Sequence, residues 1–392
     1  MQEAYIVGGY RTAVAKAKKG GFRFYRPDDL AVEVVKGLVA TMPQLDIKRI
    51  DDVIVGNAVP EAEQGLQFGR IIAAKALGIE VPGITINRYC ASGLESIAMA
   101  TAKIRTGMAE CIIAGGTESM SLVPTAGWKT VPSYNIAKDE PDYYLSMGLT
   151  AEAVAKEYKV GREAQDEFAT ASHRKAANAI ANGYFKEGIL PINVEQVYVD
   201  EKGKRKTKTY MVDTDEGVRP DTTPEVLSKL KPAFALNGTV TAGNASQTSD
   251  GAAFVMVMSE RMVNELGLQP IGRLVNCASA GVHPRIMGIG PVAAVPKVLQ
   301  QANMSLNDIE LIELNEAFAS QSIAVINELG LNPEIVNING GAIALGHPLG
   351  CTGAKLTIQL LHDMKRLNKK YGMVTACVGG GQGIAGVIEN IG

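Results

Sequence analysis

The sequence has few cysteines and no long apolar run, and each shortage excludes a class of protein. Five cysteines occur among 392 residues, and no two of them form a Cys-x-x-Cys pair. This odd, widely spaced set suggests neither a disulfide framework nor a zinc site, so no metal is expected. No segment approaches the roughly 20 consecutive apolar residues of a membrane span. The first residues lack the apolar core and cleavage site of a signal peptide, so we expect a cytoplasmic protein.

A large excess of charge of either sign is also absent. The formal net charge is −2, which gives no general electrostatic case for nucleic-acid binding, and a polyanionic ligand would have to be met by local basic residues. The one basic run, KGKRKTK at 202–208, lies between two strand-like stretches. We interpret it as a solvated hairpin tip in preference to a phosphate site.

Length and composition indicate a globular α/β protein with more than one unit. The chain exceeds the usual size of a single core, and 46% hydrophobic residues, 20% charged residues and 42 glycines are typical of a folded protein. Apolar β-rich runs alternate with helical patterns near both ends, which predicts a largely parallel, buried sheet. These runs lie at 51–59, 110–116, 309–315 and 372–380.

An internal repeat divides the chain. DDVIVGNA at 51–58 aligns with ELIELNEA at 310–317, an offset of 259 residues that also pairs Cys90 with Leu349. A small-residue turn, a helical stretch and a strand ending in glycines follow each copy, so we predict two copies of one α/β unit. The first half comprises residues 1–118 with 246–268, and the second comprises 269–392.

The intervening segment, 119–245, is predicted to be an insertion that either covers a site or serves as a scaffold or dimerisation unit. It contains a helical pattern from Gly161 to Gly183 that places Phe168, Ala171 and Ile180 near one face.

Cys90 is the first candidate for chemistry. It lies in NRYCASG at 87–93, where small residues interrupt a strand pattern before helical spacing resumes. Free backbone N–H groups and the positive end of a helix dipole favour a thiolate at such a position. A lone cysteine is more often a small buried hydrophobe, so a nucleophile needs supporting partners.

His347 is the candidate base. It lies in the glycine-rich stretch 337–355, where backbone can approach a ligand closely, although a structural turn histidine is the alternative. His173 and His362 lie in polar helical patterns and are expected at the surface. His283 lies in a turn-like stretch.

A third stretch, CVGGGQG at 377–383, runs from a strand into glycines. Its spacing is not the G-x-G-x-x-G of dinucleotide sites, and no Gly-Lys-Ser/Thr follows. Backbone N–H groups of this kind can instead stabilise a developing oxyanion.

These stretches together resemble the thiolase family. The matching motifs are N-x-x-C-x-S-G around Cys90, NEAF at 315–318, GGAIALGHPLG at 340–350 and C-x-G-G-G from Cys377, in the family's order and over essentially the whole chain. The resemblance implies an α/β thiolase fold, in which two pseudo-symmetric halves pack as an αβαβα layered core with an inserted loop domain.

The resemblance also implies catalytic roles. Cys90 resembles the acylated nucleophile, His347 the base that activates it, and Cys377 the second acid/base. Asn315 resembles the residue that holds a water, which polarises a thioester oxygen together with His347. The backbone N–H groups of Cys90 and Gly379 resemble a second oxyanion site.

Coenzyme A and acyl-CoA are the implied substrates, with no permanently bound cofactor, and a homodimer or homotetramer is expected. The residues that match coenzyme A contacts or the acyl-pocket loop are Met147, Arg219, Phe234, Ser246, Ala317 and Phe318.

Ser146 and Gln247 resemble degradative, broader-chain members. We therefore expect a 3-ketoacyl-CoA thiolase of fatty acid β-oxidation in preference to an acetyl-CoA acetyltransferase restricted to four carbons. A fatty-acid or polyketide condensing enzyme would have histidine or asparagine where Cys377 stands. A non-catalytic lipid-carrier relative would lack catalytic residues, and none is missing.

Overall fold

The computed structural model describes residues 2–392, which contain twelve β-strands and twelve α-helices. The strands are β1 (Ala4–Arg11), β2 (Ala15–Lys16), β3 (Asp52–Gly56), β4 (Gly83–Ile86), β5 (Cys111–Ser119), β6 (Ile192–Val199), β7 (Arg205–Val212), β8 (Ser249–Ser259), β9 (Gly272–Gly281), β10 (Leu311–Leu314), β11 (Tyr371–Val378) and β12 (Gln382–Asn390). The helices are α1 (Pro27–Ala40), α2 (Phe68–Leu77), α3 (Ser92–Arg105), α4 (Tyr134–Asp139), α5 (Met147–Glu157), α6 (Arg162–Ala181), α7 (Pro224–Ser228), α8 (Glu260–Glu265), α9 (Gly290–Ala302), α10 (Ala319–Leu329), α11 (Ala342–Leu345) and α12 (Thr352–Arg366).

The four β-rich runs identified in the sequence form β3, β5, β10 and β11, as predicted. The expected parallel character is wrong, because the sheet is mixed. Parallel pairing joins β3 to β4 and β5, and β10 to β11, whereas β8 and β12 run antiparallel to both of their neighbours. The reason is visible at Gly379–Gly381, where a tight turn with φ of 79° and 86° at its last two glycines returns β11 directly into β12.

Two groups of strands follow the same order. The first is β1-β8-β5-β3-β4 and the second is β9-β12-β11-β10, and the only register pair between β1 and β9 joins Ile6 to Gly272 within the described chain. Val336 pairs in parallel with Ile312 on β10, which is the position that β4 holds beside β3. The repeated unit is therefore visible in strand order and direction, while the proposed domain boundaries stay predictions.

The sequence offset of 259 needs one correction. It relates β3 to β10, but the turns at Tyr89–Ala91 and Leu349–Cys351 start 260 residues apart, as do α3 and α12. Cys90 thus corresponds to Gly350 and not to Leu349, because the segment between β10 and its turn is one residue longer.

Helices α3 and α12 lie in the middle of the molecule. Leu94 and Ile97 of α3 share one buried cluster with Ile358 of α12 and with inward side chains of both groups of strands, such as Val255 and Val374. Separate clusters join α1 and α2 to the far face of the first group, and α9 and α10 to the far face of the second. Five layers result, in the order αβαβα, as the resemblance implied.

The region 119–245 contains α4 to α7 and the hairpin β6–β7. The basic run occupies the turn and the start of β7, so its interpretation as a hairpin tip is confirmed. Helix α6 runs between the predicted glycines. Phe168, Ala171 and Ile180 are only partly buried, and the face that faces inward carries Gln165, Asp166, Ala169, Ser172, His173, Ala176 and Ala179.

No helix within residues 2–392 is both long enough and apolar enough to span a membrane.

Candidate active site

The Cys90 turn is held by hydrogen bonds from its own residues. Tyr89 has φ of 43°, in the left-handed region, and its N–H donates to Asn87 Oδ1 at 2.8 Å. The Ser92 hydroxyl donates to Tyr89 O at 2.7 Å and accepts the Arg88 N–H at 2.9 Å. These bonds place Cys90 directly before α3, with only 8% of the residue exposed.

Burial decides the protonation state of Cys90. Removal from water raises the pKa of the thiol to about 12, and hydrogen bonds from the backbone N–H groups of Gly379 and of Cys90 itself offset only part of that rise. The helix-start N–H groups thus favour the thiolate, but desolvation acts in the opposite direction and is the larger effect, which keeps the proton on Cys90.

Cys377 and Gly379, at the end of β11 and just after it, lie next to the Cys90 turn. A Cβ on Gly379 would lie 3.4 Å from the Tyr89 ring and 3.8 Å from Met147 Sδ. Cys377 is fully buried, and burial, followed by the neighbouring Cys90, raises the pKa of its thiol. Both thiols are thus protonated at rest and adjacent to one glycine-lined turn.

His347 is buried, with 4% exposed, and both of its ring nitrogens have partners. Nδ1 lies 2.6 Å from Thr352 Oγ1, whose hydroxyl donates to Pro348 O at 3.3 Å. Nε2 lies 3.3 Å from the Asn315 amide nitrogen. This pattern assigns the ring proton to Nδ1 and leaves Nε2 as the basic atom. Burial, followed by Lys355, lowers the pKa of His347 to about 3, so the imidazole is neutral.

Asn315 follows β10 and is anchored by its backbone, whose N–H donates to Thr375 O at 2.9 Å. Its Oδ1 atom is buried and has no hydrogen-bond partner among residues 2–392. This atom can therefore accept a hydrogen bond from a bound molecule.

Three supporting residues were missed in the sequence. Thr352 fixes the His347 tautomer, and the Ser249 hydroxyl accepts the His347 N–H at 3.2 Å. Glu118 is buried at the end of β5, where it accepts the N–H groups of Ala58 at 2.8 Å and Gly350 at 2.9 Å. Polar residues next to GHPLG were the available signal for Thr352. No pattern marked Glu118 or Ser249, which depend on contacts between the two halves.

Five of the six residues predicted to contact coenzyme A or the acyl chain lie together. Met147, Ala317 and Phe318 share an apolar cluster with Cys377, and the Phe234 ring meets the Phe318 ring edge-on at 6.0 Å. The Ser246 N–H donates to Ala317 O at 2.9 Å. The cluster thus leads from the surface-exposed Phe234 to the second thiol.

Arg219 does not join this group. Its side chain is exposed, and its backbone N–H donates to His173 Nδ1 at 3.2 Å. The expected surface position of His173 is wrong, since only 6% of it is exposed. His362 is partly exposed and packs against Gly188, so its expected surface position is met only in part.

Comparison with known proteins agrees with this architecture. Residues 4–261 match the family described as Thiolase, N-terminal domain, and residues 268–390 match Thiolase, C-terminal domain. A 3-ketoacyl-CoA thiolase of Bacillus subtilis (strain 168) is 55% identical over 390 residues, which cover 99% of this chain and 100% of the relative. Beta-ketothiolase BktB of Cupriavidus necator is 42% identical over 403 residues and the full length of both chains.

Solved structures agree as well. The crystal structure of the Bacillus anthracis acetyl-CoA acetyltransferase has a TM-score of 0.89 and 38% identity, and covers 100% of this chain and 99% of its own. The expected thiolase fold is confirmed by this match and by the two family domains. The chain belongs to the thiolase family and is an acyltransferase enzyme of that family.

Proposed function

We propose that this thiolase cleaves a 3-ketoacyl-CoA with coenzyme A to acetyl-CoA and a shortened acyl-CoA, reversibly, through an acyl group on Cys90. The observation that carries the proposal is the convergence at one turn. The Cys90 thiol receives the Gly379 N–H, and its neighbour is the second buried thiol, Cys377. Leu349, two residues after His347, packs in the same apolar cluster as Cys90.

Acylation needs a proton acceptor, because Cys90 rests as a thiol. The neutral imidazole of His347 has its basic lone pair on Nε2, and the bond from Nδ1 to Thr352 keeps that tautomer. We assign His347 as the base that takes the thiol proton while the sulfur attacks the ketone or thioester carbon. Burial favours the uncharged forms of both Cys90 and His347 in the resting enzyme, so the charged pair forms only as the reaction proceeds.

Two groups of donors suit the two negatively charged oxygens of the reaction. The N–H groups of Cys90 and Gly379 already point at the sulfur, so they can stabilise an oxyanion formed on an acyl group there. Asn315 supplies the second site together with His347, through a water on its unpartnered Oδ1 atom. Each half-reaction then has its own donors.

Cys377 is proposed as the acid/base at the carbon that leaves or attacks. Carbon–carbon cleavage releases a carbanion equivalent, which must take up a proton, and the raised pKa of Cys377 keeps that proton available. In the reverse direction the same sulfur removes a proton from the carbon next to the thioester.

Coenzyme A is proposed to enter along Phe234, Met147, Ser246, Ala317 and Phe318. Their apolar cluster ends at Cys377, which supports a channel for the pantetheine arm and acyl chain. The exposed guanidinium of Arg219 remains a proposed contact for the phosphate end. No bound cofactor is required by these steps, since coenzyme A enters and leaves as a substrate.

We favour a broad-chain 3-ketoacyl-CoA thiolase over an acetyl-CoA acetyltransferase limited to four carbons. Ser146 and Gln247 support this choice, and so does the higher identity to the relative named 3-ketoacyl-CoA thiolase, 55%, than to the structure named acetyl-CoA acetyltransferase, 38%. Measuring kcat/KM for cleavage of 3-ketoacyl-CoA substrates from four to sixteen carbons tests it. Activity confined to four carbons would favour the alternative.

The covalent step has its own test. Incubation with acetyl-CoA should add one acetyl group to the peptide containing Cys90, with ping-pong kinetics. Cys90→Ala should abolish this labelling, whereas Cys277→Ala, a matched loss of a half-buried thiol, should leave it intact. Acetylation of Cys377 in the Cys90→Ala variant would reverse the assignment of the two thiols.

Assembly and location are further proposals. A homodimer or homotetramer is supported by β4, a strand at the edge of the sheet that carries the partly exposed Ile84. Light scattering of the purified protein would give its mass. All five cysteines are free thiols, which suits a reducing compartment, and fractionation of cells would test the proposed cytoplasmic location.

A further inference from the structure

A polar cleft of about 340 Å³ lies between the loop after β2 and the hairpin β6–β7. Four cationic side chains line it: Lys16, Lys19, Arg23 and Lys208. Lys208 comes from the basic run 202–208, so one residue of that run faces the cleft although the turn itself is solvated. Glu216 is the one carboxylate in the lining.

The four cations lack the partners that balance many others in this protein. Within residues 2–392, none of them forms an ion pair, whereas Arg11, Arg49, Arg105 and Arg273 each bind a carboxylate. Glu216 supplies one negative charge against these four positive charges, and its two oxygens accept the N–H groups of Lys16 at 3.0 Å and Gly21 at 2.8 Å. The cleft therefore holds an uncompensated positive charge.

The walls of the cleft are fixed. A Cβ on Gly20 would lie 2.1 Å from Glu216 Oε2 and 2.6 Å from Lys16 N, so the loop closes this tightly only with glycine. The Tyr210 hydroxyl donates to Gly21 O at 2.7 Å. Arg23 donates to Gly20 O at 3.2 Å and to Gln196 Oε1 at 3.1 Å, which orients its guanidinium and leaves further N–H groups free.

We propose that this cleft binds a phosphate-bearing anion. A planar guanidinium and three ammonium groups around a polar pocket match the charge and the acceptor oxygens of a phosphoryl group. The apolar cluster at Cys377 lacks such groups, so the cleft is a separate subsite.

Two sources of the phosphate are open to experiment. The backbone of Lys16 pairs with Ser249, whose hydroxyl holds His347, and Lys16 and Arg219 both lie near His173. The cleft is thus close enough to the catalytic region to receive a phosphate of coenzyme A. A free phosphorylated metabolite would use the same groups.

The test is calorimetric titration of the full-length protein with inorganic pyrophosphate at low salt, where surface charges are least screened. The variant is Lys19→Gln/Lys208→Gln. The matched control is Lys202→Gln/Arg205→Gln, which removes the same number of positive charges from the hairpin β6–β7, outside the cleft. We expect pyrophosphate to bind at least about fivefold more weakly to the cleft variant than to the control, as loss of two exposed charge contacts implies.

Substrate kinetics then separate the sources. If the phosphate belongs to coenzyme A, the cleft variant raises KM for acetoacetyl-CoA but not for acetoacetyl-pantetheine, which has no phosphate. If the anion is a separate metabolite, pyrophosphate binding falls while both KM values stay unchanged. Equal pyrophosphate affinity in the cleft variant and the control, or no binding to the native protein up to roughly 10 mM, would overturn the proposal. Because binding is measured directly, this result does not depend on the acyl-transfer chemistry.

Discussion

The two halves of this thiolase share one framework but differ at each position that bears on the proposed chemistry. At matched positions, the first half has Asn87 where the second has His347, and Thr117 where the second has Cys377. Gly56, at the end of β3, corresponds to Asn315 after β10. The polar side chains of the first half serve structure: Asn87 caps the Cys90 turn, and Thr117 donates to Pro27 O at 3.1 Å.

The reverse holds for the nucleophile. Cys90 stands where the second half has Gly350, and that glycine packs against Asn57 and Gly56, where a Cβ would lie 2.7 and 2.8 Å from their atoms. The comparison teaches that a repeated scaffold provides two helix starts facing one site. In the proposed mechanism one copy supplies the thiol and the other supplies the base and the second acid/base, so the site would depend on both.

The largest effect is expected when the base is replaced by its counterpart, as in His347→Asn. Turnover should fall at least about a hundredfold, and acetylation of Cys90 should slow as well, because the proposed acceptor of the Cys90 proton is then missing. Stopped-flow acylation and steady-state assays measure the two effects. A variant that acylates at the native rate would show that another group removes the Cys90 proton.

Cys377→Thr likewise replaces a residue by its counterpart in the first half. It should affect one half-reaction and leave the other largely intact. Condensation should fall at least about a hundredfold, since a buried hydroxyl is a poor proton donor and acceptor at carbon. Acetylation of Cys90 by acetyl-CoA should persist, which also reports that the variant is folded. Cys377→Ala is the companion variant without a buried hydroxyl, and native condensation in either variant would contradict the role of Cys377.

The interface of the halves can be tested through α3 and α12, which approach most closely at paired glycines. A Cβ on Gly353 would lie 2.2 Å from Leu94 N, and one on Gly93 would lie 2.7 Å from Ala354 N. Gly353→Ala should therefore lower the free energy of unfolding by about 1–3 kcal/mol. Urea unfolding measures this, with Gly281→Ala as control, because its nearest atom would be 4.0 Å away. Equal losses in the two variants would argue against close packing at this junction.

The sequence was sufficient for the four strands β3, β5, β10 and β11, for the Cys90 turn and for the presence of a repeat, because each depends on local pattern. Cys90 itself shows the limit: the helix start was predictable, but the rise in its pKa depends on burial by residues far along the chain. Cys90 corresponds to Gly350 and not to Leu349, which became clear only from the folded chain. The hydrogen bond between Glu118 and Gly350 likewise forms only when the two halves pack together. His173 was misplaced for the same reason, since its polar helix is covered by a distant loop.

The smallest expected effect is on the free energy of unfolding at acid pH. It distinguishes His347, which titrates, from its counterpart Asn87, which does not. Because burial and Lys355 lower the pKa of His347 to about 3, the unfolded chain takes up a proton below its ordinary pKa of 6.5 that the folded chain refuses. The contribution of neutral His347 to stability is thus fully present above pH 6.5 and is lost as pH falls toward 3, by about 1.4 kcal/mol per pH unit. Buried carboxyl groups such as Glu118, whose pKa is raised by burial, act in the opposite direction but are common to both proteins.

Urea unfolding of the native protein and of His347→Asn at about pH 7, 6 and 5 tests this contribution. The free energy of unfolding should fall less steeply with pH in the variant, and between about pH 6 and pH 5 the two proteins should differ in slope by nearly that amount. Parallel pH profiles would mean that His347 keeps its ordinary pKa of 6.5 in the folded protein, and that burial does not hold the imidazole neutral below that pH.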